Sequence, residues 1–170
     1  MDYLIVVDMQ RDFIDGALGS AEAQAIVPYV TALVRDFPGR VLFTRDTHKE
    51  SYLTTREGRH LPVPHCIRGT AGWELHPALE ALRTTAPVDK PTFGSLALVE
   101  ALQAAGDVDS VTFVGLCTDI CVISNVMLVK AAFPEAEVTV DARGCAGVTP
   151  ESHRTALAAM QAVQVTVIHG

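Results

Sequence analysis

The sequence lacks several features that would assign it to common classes of protein. No apolar run approaches the roughly 20 residues that cross a membrane, and the start of the chain has neither a basic segment nor a cleavage-site pattern. We therefore expect a cytoplasmic protein without a membrane partner. Basic residues are also in deficit, since the formal net charge is -7. A nucleic acid would require a basic surface, so the charge argues against such a partner as well.

Cysteine is scarce, and its spacing does not indicate a structural framework. The four cysteines form no CxxC pair and are too few for a secreted disulfide scaffold, so we expect reduced thiols. Internal repeats, low-complexity segments and linkers are absent too. The length of 170 residues then predicts a single domain spanning residues 1–170.

Short apolar runs alternate along the chain with segments of helical periodicity. The apolar runs predict strands at residues 3–7, 40–44, 86–89, 111–114, 137–140 and 164–168. The periodic segments predict helices at residues 20–37, 76–86, 95–105, 118–129 and 150–161, with loops at residues 9–19 and 47–73. This alternation predicts an α/β fold, a doubly wound, mainly parallel six-stranded sheet with helices on both faces.

Three reactive side chains lie at predicted strand ends. Asp8 follows the first strand, Lys90 follows the third, and Cys121 lies in the first turn of the helix after the fourth. In a doubly wound parallel sheet these ends share one edge, so the three side chains can meet in one pocket. A cation and a helix N-terminus favour the thiolate, and a carboxylate can move its proton. The pattern indicates nucleophilic cysteine chemistry, with a buried core cysteine as the alternative.

The segment after the second strand carries candidate metal ligands. Asp46 and His48 are two residues apart on an extended segment, so their side chains point the same way and could share one ion. His65 is a third candidate. The alternative is that these residues are ordinary surface residues of a long loop.

Four short motifs and one lysine occur together and in a characteristic order. They are DMQRDF at residues 8–13, TRDTH at 44–48, PHCIRGTAGWEL at 64–75, Lys90, and GLCTDICV at 115–122. In these motifs, and in DARGCAG near the C-terminus, the chain resembles the isochorismatase-like cysteine hydrolases, and among them the nicotinamidases. The resemblance covers essentially the whole chain. It implies a Rossmann-like three-layer fold and a hydrolase that acts on linear C–N amide bonds.

The resemblance also implies a role for each residue of the strand-end group. Cys121 would be the nucleophile, Asp8 the acid and base, and Lys90 the stabilising cation. A cis peptide bond between Leu116 and Cys117 would turn the N–H of Cys117 toward that of Cys121, so that both form an oxyanion hole. Cys117 would then act through its amide. This geometry disfavours another hypothesis, a redox-responsive binding protein in which Cys117 and Cys121 pair reversibly.

A divalent metal that contacts the ring nitrogen of the substrate is a further implication. The fourth ligand is ambiguous, because Thr54 stands where the common spacing requires a histidine. Glu57 is the preferred replacement and His60 the alternative. The predicted set, with zinc preferred over iron or manganese, is Asp46, His48, Glu57 and His65.

The expected pocket walls are only partly those of a nicotinamidase. Phe13 and Phe93 are predicted to contact the substrate, but Pro62 stands where an aromatic residue usually stacks on the pyridine ring. Trp73 is predicted to pack under the loop, and His153 to pack or cap a helix.

The predicted reaction is the hydrolysis of nicotinamide to nicotinate and ammonia through a thioester, a step of NAD salvage. Because Pro62 weakens the substrate assignment, an amidase acting on another small carbamoyl or ureido compound is the alternative. True isochorismatases act on a vinyl ether and do not need the nucleophilic cysteine, so Cys121 argues against that activity. The family analogy also suggests a homo-oligomer.

Overall fold

A computed structural model describes residues 1–170 and contains six strands and seven α-helices. The strands are β1 (Asp2–Val7), β2 (Arg40–Asp46), β3 (Val88–Lys90), β4 (Ser110–Leu116), β5 (Glu137–Ala146) and β6 (Thr166–Ile168). The helices are α1 (Arg11–Ile14), α2 (Ala21–Asp36), α3 (Arg56–His60), α4 (Pro77–Glu80), α5 (Leu96–Ala105), α6 (Ile123–Ala132) and α7 (Pro150–Ala162). A 3₁₀ turn (Tyr52–Thr54) and a π-helical turn (Thr118–Val122) complete the structure.

All six strands pair in parallel in the order β3-β2-β1-β4-β5-β6. β1 is central, since Val6 pairs with Phe43 of β2 and with Val114 of β4. The chain builds the sheet outward from β1 to β3, then returns to the other side of β1 and continues to β6. Ligands bind in such sheets at the carboxyl ends of the strands where the direction changes. The predicted α/β fold with a doubly wound sheet is confirmed.

Side chains of β1 alternate between two apolar cores. Tyr3, Ile5 and Val7 pack in the core that α5, α6 and α7 cover. Leu4 and Val6 pack in the opposite core, which α2 and α4 cover. All five are almost completely buried, as expected of a strand in a sheet covered on both faces. No helix is both long and apolar enough to span a membrane.

The boundaries of some elements differ from the sequence prediction. The helix predicted at residues 76–86 is only α4, which ends at Glu80. Pro87 disfavours helical backbone at the residue before it, and two β-branched threonines stand just upstream, so the helical period does not continue. For the same reason β3 begins after Pro87, and Lys90 is its last residue, not the residue that follows it.

Two segments predicted as loops contain short helices. Residues 9–19 include α1, and residues 47–73 include the 3₁₀ turn and α3. The side chain of Thr55 caps α3 by accepting a hydrogen bond from the N–H of Gly58 at 3.0 Å. Helices of this length show too few periods for a pattern to detect.

We expect Gly115→Ala to destabilise the protein more than Gly106→Ala does. Both glycines have positive φ, +120° and +96°. A Cβ at Gly115 would lie 2.1 Å from the carbonyl oxygen of Val7, whereas nothing lies within 4 Å of one at Gly106. Gly115→Ala should lower the free energy of unfolding by about 1–3 kcal/mol more than Gly106→Ala does, which is the usual penalty for overpacking. Urea unfolding of the two variants measures the difference, and equal losses would contradict it.

Candidate active site

Lys90 lies where side chains from three neighbouring strands meet. Its Nζ is 2.6 Å from Asp8 Oδ2, 3.4 Å from Cys121 Sγ and 3.5 Å from Asp46 Oδ1. It also donates a hydrogen bond to the carbonyl of Thr92 at 3.0 Å. Lys90 is 1% exposed, and the three side chains around its ammonium group are buried as well. The structure therefore brings together the three residues that the strand ends suggested.

The backbone and side chain of Asp8 are fixed by the neighbouring strand. Asp8 has a φ of +48°, so the chain turns sharply as it leaves β1. Its N–H donates to the carbonyl oxygen and to the hydroxyl of Thr44, at 3.3 and 3.2 Å. The Thr44 hydroxyl donates in turn to Asp8 Oδ1 at 2.6 Å. One carboxylate oxygen is held in this way, and the other faces Lys90.

The turn that carries Cys121 begins with an unusual backbone. The peptide bond between Leu116 and Cys117 is cis, at the position that the resemblance implied. The N–H of Cys117 donates to no group of the protein, while its carbonyl accepts two N–H bonds of the following π-helical turn. Cys121 lies in that turn, just before α6. All four cysteines are free thiols, so the structure has no disulfide between Cys117 and Cys121.

Burial dominates the protonation of the thiol. Burial raises the pKa of Cys121 well above its usual value, although the Lys90 ammonium opposes the shift. Burial likewise raises the pKa of Asp8 against the effect of Lys90. For Lys90, burial lowers the pKa, but the negative charge of Asp8, joined by that of the Cys121 sulfur when it is ionised, outweighs burial, and the net shift is upward. The lowered thiol pKa expected from the helix N-terminus is therefore not found.

A second group of side chains lies beside Lys90. It consists of Asp46, His48, Glu57 and His65, whose ligand atoms all lie within 4.8 Å of one another. His48 Nε2 is 2.9 Å from Asp46 Oδ2 and 3.5 Å from Glu57 Oε1, and His65 Nε2 is 3.5 Å from Asp46 Oδ2. Asp46 Oδ1 is buried and makes no hydrogen bond. That oxygen faces Lys90, and Oδ2 is the one that faces the histidines. Two imidazole nitrogens and two carboxylate oxygens so close together are a donor set that fits a divalent cation.

The orientation of His65 is fixed by a hydrogen bond to the main chain. Its Nδ1 lies 2.8 Å from the carbonyl oxygen of Val63, which can only accept, so Nδ1 carries the proton and Nε2 presents a lone pair to the group. His60, the alternative to Glu57, is exposed and bonds through Nδ1 to the carbonyl of Arg56. The geometry thus includes Glu57 in the group and leaves His60 outside it.

Two residues that hold this group in place received no role from the sequence. Gln10 accepts from the N–H of Asp46 at 2.7 Å and donates to the carbonyls of Asp46 and Trp73, each at 2.8 Å. Asp12 accepts a hydrogen bond at 2.8 Å from the N–H of Cys66, the residue that follows the ligand candidate His65. Their only signal in the sequence is that both belong to the DMQRDF motif.

A cavity of about 940 Å³ opens above both groups. Cys117, Cys121, Asp46 and Glu57 contribute to its lining, and ten of its eighteen lining residues are apolar. Those include both predicted aromatic walls, Phe13 and Phe93, with Leu18, Leu61, Ile120 and Val148.

Two residues considered at the sequence level lie outside the cavity. The indole N–H of Trp73 donates to the hydroxyl of Thr47 at 2.9 Å, which agrees with a packing role. His153 bonds through Nδ1 to the hydroxyl of Thr118 at 2.7 Å. His153 therefore supports the turn after the cis peptide bond and does not reach the thiol group.

The fold and the site define the class of this protein. A doubly wound parallel sheet on which an aspartate, a lysine and a cysteine converge at one edge is that of a hydrolase of the α/β class that uses no catalytic histidine beside the thiol. The family model described as the Isochorismatase domain matches residues 2–170. The chain belongs to the isochorismatase family.

Relatives and solved structures agree with this assignment. The chain is 32% identical over 141 residues to a nicotinamidase/pyrazinamidase of Mycobacterium tuberculosis, covering 72% of this chain and 75% of the relative. The structure of a pyrazinamidase of Pyrococcus horikoshii in complex with zinc is similar with a TM-score of 0.82, 28% identity and 99% coverage of both chains. A nicotinamidase/pyrazinamidase of Bacillus subtilis is similar with a TM-score of 0.87, 26% identity and 98% coverage of both chains.

We expect Lys90→Met to destabilise the protein by about 3–5 kcal/mol at pH 8, because it leaves buried carboxylates without their cation. The double variant Asp8→Asn/Lys90→Met should recover much of this loss. In the single variant the folded-state pKa of Asp8 lies above its unfolded value, so stability falls as the pH rises through the folded pKa. The deficit should accordingly be smaller at pH 5 than at pH 8. Urea unfolding at both pH values tests this, and equal losses in the single and double variants would contradict it.

Proposed function

We propose that this protein is a cysteine-dependent amidohydrolase that converts nicotinamide and water to nicotinate and ammonia. The observation that carries the proposal is the position of the Lys90 ammonium between Asp8 and Cys121, of which Cys121 lines the cavity. A carboxylate, a buried cation and a thiol in contact are the parts that covalent amide hydrolysis needs. The names of the relatives, nicotinamidase and pyrazinamidase, support the choice of a heteroaromatic amide.

In the proposed first half-reaction Asp8 accepts the proton of the Cys121 thiol as Sγ attacks the carboxamide carbon. The carbonyl oxygen becomes an oxyanion, which the backbone N–H groups of Cys117 and Cys121 stabilise by hydrogen bonds. Asp8 then gives the proton to the amide nitrogen. The C–N bond breaks and ammonia departs. The acyl group stays bound to Cys121 as a thioester.

In the second half-reaction Asp8 accepts a proton from water as the water oxygen attacks the thioester carbon. The same two N–H groups hold the second oxyanion. The C–S bond breaks, the Cys121 sulfur regains a proton from Asp8, and nicotinic acid is released and gives its proton to the solvent to become nicotinate. Lys90 stays protonated, since the Asp8 carboxylate raises its pKa despite burial, and it stabilises negative charge on Asp8 or on the Cys121 sulfur.

The four-residue group beside Lys90 is proposed to hold a divalent metal, with Asp46, His48, Glu57 and His65 as ligands. Zinc suits two imidazoles and two carboxylates, and iron or manganese would accept the same mixed set. The zinc in the P. horikoshii structure supports this choice. When bound, the metal would orient the substrate by contact with its ring nitrogen.

A second substrate class is favoured by the volume of the cavity. At roughly 30 Å³ per non-hydrogen atom, the share of one water molecule in the liquid, nicotinamide fills on the order of 270 Å³. The cavity measures about 940 Å³, and Pro62 does not contribute an aromatic wall. A larger carbamoyl or ureido compound is therefore the alternative substrate for the same catalytic group. A role in NAD salvage follows only if nicotinamide is the substrate, and the cytoplasmic location, the homo-oligomer and the single domain stay predictions.

We expect the zinc-loaded protein to release ammonia from nicotinamide, and Cys121→Ala to lower kcat by roughly 10⁴-fold or more, as loss of a nucleophile does. The matched control is Cys117→Ala, which keeps the backbone N–H and should retain kcat within about threefold. Coupled assay of ammonia measures both. Equal losses in the two variants would contradict the separate roles, and activity on another carbamoyl compound but not on nicotinamide would favour the alternative substrate.

We further expect Glu57→Ala to weaken zinc binding by at least about tenfold, while the matched change His60→Ala leaves it unaltered. Glu57 belongs to the ligand group, whereas His60, three residues later, is exposed. Isothermal titration of metal-free protein with zinc gives both affinities. A larger loss in His60→Ala than in Glu57→Ala would reverse the assignment of the fourth ligand.

A further inference from the structure

Asn125 is the only asparagine of the chain, and it is 0% exposed within α6, one turn after Cys121. A buried amide is unfavourable unless its hydrogen bonds are satisfied. Here the Nδ2 group donates to the carbonyl of Cys121 at 2.8 Å and to the carbonyl of Phe93 at 3.1 Å. Oδ1 accepts from the N–H of Ser95 at 2.9 Å. One side chain thus joins two separate segments of backbone.

The second of these segments, Thr92–Ser95, connects Lys90 to α5. The carbonyl of Thr92 accepts the hydrogen bond from Lys90 Nζ. Phe93 lines the cavity. The segment approaches α6 so closely that a Cβ on Gly94 would lie 2.7 Å from Leu128 Cδ1. The segment is therefore held by the ammonium group at its start and by the Asn125 amide at its end.

No other type of side chain fits this position equally well. An amide offers two donors and an acceptor in one plane, and here these meet two carbonyls and one N–H. The other inward-facing residues of α6, Val126 and Val129, are apolar and pack in the core. An apolar residue at 125 would continue that core, but it would leave the Phe93 carbonyl and the Ser95 N–H without this partner and remove a bond to the Cys121 carbonyl.

We propose that Asn125 is a positioning residue that holds the turn of Cys121 and the segment Thr92–Ser95 in fixed relation. Its bonds keep the thiol at 3.4 Å from the Lys90 ammonium and keep the Phe93 wall against the cavity. Asn125 neither lines the cavity nor belongs to the four-residue ligand group, so it acts through the residues that do. The inference concerns how the site is held together, and it rests on the proposed function for its kinetic readout.

Two variants separate the bonds of Asn125. Asn125→Asp keeps the shape and the acceptor but loses both donors. Asn125→Ser can keep the bond to the Cys121 carbonyl, as Ser124 does to the carbonyl four residues before it at 2.6 Å, but its hydroxyl is too short for the Thr92–Ser95 segment. Val129→Ala, one turn further along α6, is the matched control because it removes buried apolar atoms and no hydrogen bond.

The experiment measures kcat and KM on nicotinamide, the urea unfolding midpoint, and the alkylation rate of Cys121 by iodoacetamide resolved by peptide mass spectrometry. We expect Asn125→Ser and Asn125→Asp to lower kcat by about 10- to 100-fold, the effect of a misplacement near 1 Å, with KM changed less. The alkylation rate should change in the same variants. Val129→Ala should lower the midpoint and leave kcat and alkylation within twofold or so.

Unaltered kcat and alkylation in Asn125→Ser, together with a lowered midpoint, would overturn the proposal and leave Asn125 a purely structural residue. The serine variant carries this decision if the aspartate variant does not fold. A wild-type protein that is inactive on nicotinamide would refute the proposed function alone. The alkylation rates need no substrate, so a change in them confined to the Asn125 variants would still support the positioning role.

Discussion

The buried ammonium group of Lys90 is the interaction on which the site depends. An isolated charge in the interior is unfavourable by several kcal/mol, and the loss is offset only when opposite charges lie close by. Asp8 and Asp46 supply those charges from the ends of β1 and β2. The three strands are adjacent, and Asp46 pairs directly with Lys90 in the β2–β3 register. The register of the parallel sheet thereby fixes where each charge lies.

Asp46 links the two groups of the site. Its Oδ1 faces the ammonium of Lys90, while its Oδ2 lies against the imidazoles of His48 and His65. Burial would raise the pKa of Asp46, but the histidines and Lys90 lower it well below its usual value, so this carboxylate stays charged. The thiol group and the ligand group therefore share one permanent negative charge. A change of charge in one group alters the electrostatic environment of the other through Asp46.

The sequence revealed the residues that strand ends and short spacings define. Asp8, Lys90 and Cys121 could be predicted because parallel strands end at one edge, and Asp46 and His48 because alternate residues of an extended chain point the same way. Thr44 and Gln10 could not, since their roles are hydrogen bonds to residues 36 positions away along the chain. Hydrogen bonds between residues so far apart in the sequence produce no periodic pattern that could reveal them. Short helices such as α3 were missed for the opposite reason, because a single turn contains too little pattern.

The protonation of Cys121 shows why a local rule can give the wrong state. A cysteine at a helix N-terminus usually has a lowered pKa because unpaired N–H groups and the helix dipole stabilise the thiolate. In this fold Cys121 is only 5% exposed, and burial outweighs the effect of the nearby ammonium and raises the thiol pKa. A neutral thiol beside a carboxylate can pass its proton directly to that carboxylate as the sulfur attacks. Burial therefore makes Asp8 indispensable to the proposed reaction, since it is the group beside the thiol that can accept the proton when the sulfur attacks.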